Sequence, residues 1–230
     1  MQPREHRDGR FITLEGPDGA GKSTQAQLLA ARLREGGHTV LITREPGGTP
    51  LGERLRAILL QGSAVAQGPM ADALLFNAAR SQLVTDVITP ALDGGKVVIC
   101  DRYADSTLAY QGFGAGLDVG RLRDLGQWAT SGLRPGLTIL FDVPVEVGLA
   151  RRQRGPADAQ TRFEQAGRHG ADFHRRVRDG YCALSRAEPA RWRLVNADRP
   201  AEQVALEVGE IVDRFLSASE PLVPTVRIQG

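Results

Sequence analysis

Residues 16–23 read Gly-Pro-Asp-Gly-Ala-Gly-Lys-Ser and follow directly on the apolar run Phe11-Ile12-Thr13-Leu14. The run has the character of a short buried strand, and the helical pattern from about Lys22 to Glu35 begins where the loop ends. The segment fits G-x-x-x-x-G-K-[ST], in which the glycines let the backbone turn sharply and aim successive N–H groups at phosphate oxygens. The helix that follows adds the positive end of its dipole. Gly16, Pro17, Asp18, Gly19, Ala20, Gly21, Lys22, Ser23 and Thr24 are therefore expected to cradle a nucleoside triphosphate. Lys22 would reach the β- and γ-phosphates, and the Ser23 hydroxyl would hold magnesium. The chain has only two lysines, Lys22 and Lys96, and one of them occupies the lysine position of the pattern.

The rest of the chain repeats this alternation. Further strands are expected at Thr39–Thr43, Lys96–Cys100, Leu137–Phe141 and Trp192–Val195. Helical patterns lie between them at 51–60, 70–92, 103–111, 119–131, 145–152 and 169–187, with a last one at 201–216. Pro90 is expected to end or kink the long 70–92 pattern. Alternating strands and helices imply a parallel sheet covered on both faces, an α/β architecture. No repeat or linker divides the chain, so residues 10–216 are expected to form a single domain, with flexible ends at 1–9 and 217–230.

Composition narrows the function classes. A formal net charge of +2 gives no footprint for nucleic acid or a membrane surface. Two cysteines, Cys100 and Cys182, cannot supply a metal cluster or a disulfide framework and are expected to be reduced. No stretch is apolar enough for a signal peptide or a membrane span, which points to the cytoplasm. The arginines are more informative. Arg44, Arg102 and the group Arg151, Arg152, Arg154 and Arg162 all follow expected strands, at the end where ligands collect in open α/β sheets. One nucleotide does not need that many cations in separate loops, whereas a second phosphate-bearing substrate does. An N-K-x-D guanine signature is absent, because both lysines follow glycine.

Five segments together resemble the thymidylate kinase family: GPDGAGKS, REPGGTPLGE at 44–53, LLFNAARSQ at 74–82, DRYADSTLAYQG at 101–112 and FDVPVEVGLAR at 141–151. The resemblance covers roughly residues 10–216. It implies the P-loop nucleoside monophosphate kinase fold, a five-stranded parallel sheet covered by helices on both faces, with a lid at about 151–168. It implies transfer of the γ-phosphoryl group of Mg-ATP to dTMP, giving dTDP and ADP. By the same resemblance Phe76 stacks on thymine and Arg80 hydrogen-bonds the base, while Arg44 and Arg102 grip the dTMP phosphate. Asp18 holds the sugar 3′-hydroxyl, Tyr110 disfavours ribonucleotides, and Ser106 and Gln111 line the thymidine pocket. Lys22, Arg44, Asp101, Arg154 and Arg151 form the implied catalytic group, with Ser23 and Asp101 on the magnesium. Gly19 stands where one branch of the family carries a loop arginine, so the chain is similar to the bacterial type with that arginine in the lid, Arg154 first and Arg151 second. The lid departs from the family pattern, reading Thr161-Arg162-Phe163-Glu164 where family members often have aspartate first.

Other residues stay outside the site in this reading. His169 and His174 are five apart and do not form a ligand pair on a helix face. Phe173, Val177 and Tyr181 make an i, i+4, i+8 core stripe, and Trp128 and Trp192 are expected as core or half-buried anchors. Another P-loop nucleoside or nucleotide kinase, or a nucleotide-binding protein without turnover, remains an alternative. The resemblance implies a homodimer, and the apolar positions on the 70–92 helix could supply the contact.

Overall fold

The computed structural model describes residues 10–60, 67–154 and 170–219. Five strands, β1 (Phe11–Glu15), β2 (Val40–Arg44), β3 (Val97–Asp101), β4 (Leu137–Asp142) and β5 (Trp192–Asn196), form one sheet in the order β2-β3-β1-β4-β5, every pair parallel. The helices are α1 (Lys22–Glu35), α2 (Pro50–Leu60), α3 (Pro69–Leu83), α4 (Thr89–Asp93), α5 (Ala104–Thr107), α6 (Val119–Ala129), α7 (Val145–Gln153), α8 (Ala171–Ala187) and α9 (Ala201–Ser219). The last helix runs past residue 217, where a flexible tail was expected to begin.

Strand alternation decides which side chains meet which helices. On one face Ile12, Leu14, Val97, Ile99, Ile139 and Phe141 pack with Ala26, Leu29 and Leu33 of α1 and with Val204, Val208 and Val212 of α9. On the other, Phe11, Val98 and Cys100 meet Leu83, Val84, Ile88 and Leu92. Leu140 and Trp192 lie on that side too, with Phe173, Val177, Tyr181 and Leu184 of α8. The same alternation puts Thr13 and Glu15 on the Phe11 side, away from α1. Thr13 Oγ1 meets Thr138 Oγ1 at 2.9 Å there.

Two helices contain a widened π-type turn, and both change what the sequence leads one to expect. Between α3 and α4, residues Val84–Ile88 widen so that the Thr89 N–H reaches back five residues to the Val84 carbonyl. The chain thereby passes Pro90, which has no N–H to give, and the helix is neither ended nor broken at that residue. After α5 a second such segment, Leu108–Gly114, carries the helix three residues beyond the expected end and brings Tyr110 and Gln111 to a cleft. Trp192 is buried as expected, but Trp128 is 84% exposed, so its place as a core or half-buried anchor is corrected. It lies on the solvent side of the short helix α6, whose buried contacts are made by Leu122 and Gly126.

The chain leaves β1 toward β2 and β3, and leaves β4 toward β5. Connections therefore diverge at the β1–β4 pair, where an open sheet offers a crevice beyond its carboxyl ends. The carboxyl ends hold Glu15, Arg44, Asp101, Asp142 and Asn196.

Candidate active site

The crevice opens into a cleft of about 520 Å³. Asp18, Gly19, Gly21, Lys22, Ser23 and Thr24 of the loop line it together with Phe76, Tyr110 and Gln111, and with Arg44, Arg56, Asp101 and Arg102.

The loop holds its shape because side chains are excluded. Gly16 has φ +142, and a Cβ there would stand 2.5 Å from the Phe141 carbonyl. Gly19 has φ +75, and a Cβ on it would overlap the Gly148 carbonyl at the start of α7. Neither position admits another residue without displacing backbone. Lys22 is buried, and its Nζ donates to the carbonyls of Gly16 (3.0 Å) and Pro17 (2.8 Å). Burial and the nearby Arg102 charge bring the Lys22 ammonium down to about 8, so an anion in the loop would stabilise it. The Ser23 hydroxyl donates to Asp101 Oδ2 at 2.5 Å. A hydroxyl and a carboxylate are hard oxygen donors that suit magnesium, and the described residues offer no cluster of three or more His, Cys, Asp or Glu for a metal. An ion here would take its remaining ligands from phosphate and water.

Arg102 links the loop to other walls of the cleft. It has φ +71, a conformation side chains seldom adopt, and its guanidinium is mostly buried. Nη2 donates to Asp18 Oδ1 (2.5 Å) and to the Tyr110 hydroxyl (3.1 Å). Nη1 donates to the Gly16 carbonyl (3.2 Å), Ser106 Oγ (3.2 Å) and the Tyr181 hydroxyl (3.1 Å). Tyr110 completes the triangle by donating to Asp18 Oδ2 at 2.8 Å. Burial alone would raise the Asp18 carboxyl, but Arg102, Lys22 and the Tyr110 hydroxyl outweigh it and hold it below its ordinary 3.8. Arg44 is half-exposed and shares Glu53 with the Gly48 N–H. Arg56 was not singled out from the sequence; burial and the neighbouring Arg44 disfavour its charge. A dianion beside Arg56 would offset both effects.

Phe76 is partly buried and lines the cleft four residues before Arg80. Arg80 is 1% exposed and does not line the cleft. It donates to Glu45 Oε2 (2.8 Å), Asn77 Oδ1 (2.9 Å), the Tyr103 carbonyl (3.2 Å) and Thr107 Oγ1 (3.0 Å). These four bonds leave at most one of its five N–H groups for a ligand. Glu45 Oε1 is buried and finds no hydrogen-bond partner among the described residues; burial lifts that carboxyl to about 7 despite the Arg80 pair.

Arg151 and Arg152 line the cleft, while Arg154 is exposed at the end of α7 and does not. Arg151 is tied to the Ala197 carbonyl (2.9 Å) and Asp198 (3.3 Å). Arg162, His169 and the Thr161–Glu164 stretch lie outside the described residues, as does most of the expected lid.

Glu15 and Tyr181 belong to this network and were not expected in it. Glu15 is fully buried; it accepts from the Tyr103 N–H (2.8 Å), the Ser106 hydroxyl (2.6 Å) and the Tyr181 hydroxyl (2.9 Å). The Tyr181 ring packs in the core as its stripe requires, but its phenol needed a polar partner, a signal the spacing alone does not display. Glu15 was legible only as a carboxylate placed between a buried strand and a glycine. Burial, then the nearby Asp105 charge, raise it from 4.5 to about 7.

Residues 14–208 match the family model for thymidylate kinase. A thymidylate kinase of Thermomicrobium roseum is 60% identical over 195 residues, 85% of this chain and 90% of that protein. One from Deinococcus radiodurans is 51% identical over 201 residues, 87% of this chain and 94% of that one. The crystal structure of thymidylate kinase from Ehrlichia chaffeensis superposes with a TM-score of 0.69 at 34% identity, covering 88% of this chain and 97% of that one.

The raised Glu15 carboxyl has a consequence for stability. Between 4.5 and about 7 the native state holds a proton that the unfolded chain releases, so stability falls as pH rises through that window. Glu15→Gln removes its share, and urea unfolding at several pH values should give a flatter curve for the variant there. An identical slope in both proteins would contradict the assignment.

Proposed function

The chain belongs to the thymidylate kinase family and is a phosphotransferase acting on dTMP; we propose that its phosphoryl donor is ATP with magnesium and that the cleft residues divide between the two substrates as follows. The observation that carries this division is one cleft lined both by a phosphate loop and by aromatic side chains and arginines from other segments. Two phosphate-bearing ligands held there would have their phosphates close together.

On the donor side, the loop N–H groups from Gly16 to Thr24 hold the ATP phosphates. Lys22 turns from the Gly16 and Pro17 carbonyls to the β- and γ-phosphates, gaining a charge partner that its buried ammonium lacks. Ser23 and Asp101 hold magnesium, which supplies charge neutralisation on the phosphate oxygens.

On the acceptor side, Phe76 stacks on the base and Gln111 and Ser106 border it, with Arg80 buried behind them and one N–H left for a ligand that reaches it. Arg44 and Arg102 hold the dTMP phosphate, with Arg56 close enough in the same wall to add to the field. Asp18 receives the sugar 3′-hydroxyl, and Tyr110 fills the space a 2′-hydroxyl would need. Asp18, Arg102 and Tyr110 already satisfy one another. Substrate binding is then an exchange in which phosphate replaces Asp18 on Arg102 and the sugar replaces Arg102 on Asp18. The acceptor phosphate is an anion at neutral pH and needs no strong base, so rate comes from alignment and charge placement.

The arginine that meets the transferred group comes from the segment after β4. The crowding at Gly19 supports this, because the loop has no room for a side chain. Arg154 is favoured over Arg151, whose guanidinium is engaged by Ala197 and Asp198. We place the protein in the cytoplasm as a homodimer. No helix among the described residues is long and apolar enough to cross a membrane. Met70 and Leu74, about half exposed and one turn apart on α3, supply an apolar face for a second copy.

A coupled ADP-release assay with magnesium-ATP and a panel of nucleoside monophosphates tests the reaction. Strong turnover with dTMP, weaker turnover with dUMP and none with AMP, CMP or GMP is expected; turnover with none of them would contradict it. Phe76→Ala should weaken dTMP binding by about 1–3 kcal/mol, the range for base–aromatic stacking, and an unchanged dissociation constant would remove Phe76 from the base site. Arg154→Ala should lower kcat by about a hundredfold or more with dTMP binding intact, as for loss of a transition-state charge contact; an equal loss in Arg151→Ala alone would reverse the ranking. Light scattering on a sizing column should give twice the 24.8 kDa chain mass and a monomer for Leu74→Glu, while a monomeric wild type would refute the dimer.

A further inference from the structure

Glu15 stands behind the cleft, on the sheet face set by Phe11 and Thr13, and no role in the transfer has been given to it above. Its two oxygens do two different jobs. Oε1 accepts the N–H of Tyr103, which pins the peptide immediately after Arg102. Oε2 accepts from Ser106 Oγ at 2.6 Å and from the Tyr181 hydroxyl at 2.9 Å, and both of those oxygens in turn accept from Arg102 Nη1.

A hydroxyl has one hydrogen, and an ionised carboxylate can only accept. The Ser106 and Tyr181 oxygens are 2.8 Å apart, so either both hydrogens go to Glu15 or one hydroxyl donates to the other, which donates to Glu15. In both arrangements the carboxylate is the final acceptor, and the hydroxyl lone pairs are left to face the guanidinium. We propose that Glu15 is the positioning residue for Arg102: by pinning Tyr103 and orienting the Ser106 and Tyr181 hydroxyls, it holds the guanidinium where the acceptor phosphate binds. The proposal rests on the reading of Arg102 as a phosphate grip.

Arg102 needs such a support. Its backbone is at φ +71, outside the comfortable range of a side-chain-bearing residue. Once phosphate has displaced Asp18, the two hydroxyls and the Gly16 carbonyl are what remain to hold Nη1. A neutral carboxyl or an amide at position 15 must direct a hydrogen either at the Tyr103 N–H or at the two hydroxyls. One half of the support then fails. Protonation does the same thing reversibly. The charged or titratable groups that act on Glu15 are Asp105, Arg102, Lys22, Arg80, Cys100 and Tyr181. Burial and Asp105 outweigh Arg102, leaving the carboxyl at about 7.

The test is calorimetric dTMP binding and steady-state kinetics for wild type, Glu15→Gln, Tyr181→Phe, the double variant and Arg102→Ala. Glu15→Gln should raise the Kd and KM for dTMP by about tenfold or more, the value of a hydrogen bond to a charged group. The KM for ATP should stay within about twofold, the spread of uncoupled sites. Tyr181→Phe should have a smaller effect, and adding it to Glu15→Gln should cost little more, because both act along one path. The ratio of variant to wild-type dTMP Kd should shrink toward one as pH falls below about 7, since wild type then loses the same charge; titration of the substrate phosphate affects both proteins alike. Unchanged dTMP affinity in Glu15→Gln with a large loss in Arg102→Ala would overturn the role of Glu15 and leave the Arg102 reading intact. Unchanged affinity in Arg102→Ala would overturn that reading. Should Glu15→Gln fail to fold by circular dichroism, Tyr181→Phe decides, because Tyr181 does not line the cleft: unchanged dTMP affinity overturns the proposal, and a loss with the KM for ATP unchanged sustains it.

Discussion

A 2.5 Å ion pair between Asp18 and Arg102 joins the phosphate loop to the segment after β3, and the rest of the cleft is arranged around it. Both partners are largely removed from water, so neither could stand alone without a heavy desolvation cost. Tyr110 closes the pair from one side, while Ser106 and Tyr181 support it from the other. The pair ties the phosphate loop to the segment after β3 before any ligand arrives. It also presents groups complementary to a nucleotide: a guanidinium for phosphate and a carboxylate for a sugar hydroxyl. Binding can then trade one set of charge-assisted bonds for another instead of exposing bare charges.

Much of this was legible in the sequence because the relevant chemistry is local. The phosphate loop needs its glycines and its lysine within eight consecutive residues, and the structure gives a strand before it and a helix after it. Arg44 and Arg102 were readable because each stands at the end of an apolar run, and the parallel sheet collects those ends on one edge. The five strands were expected to within a residue or so. What was not legible depends on residues far apart in the chain. Glu15 and Tyr181 are separated by 166 residues and meet only because α8 packs over the β1 side of the sheet. Arg56 and Glu45 reach the cleft through the folding of α2 and the loop before it. The passage of the helix through Pro90 required a widened turn that no residue spacing announces.

The buried acids show how stability and site geometry pull apart. Glu15 and Glu45 are both lifted toward neutrality by burial, and Lys22 is brought down. A chain selected for stability alone would be expected to replace such groups with apolar ones of similar volume. Their presence around a single cleft, each beside an arginine or a phosphate-binding loop, is what a site built to receive anions requires.

The most direct measurement is a crystal structure with dTMP and a non-hydrolysable ATP analogue bound together. We expect the analogue phosphates along residues 16–24, the dTMP phosphate on Arg44 and Arg102, the base against Phe76, and the Asp18–Arg102 contact opened by the substrate. A complex in which dTMP binds elsewhere, with Arg102 still locked on Asp18, would contradict the division of the cleft described here.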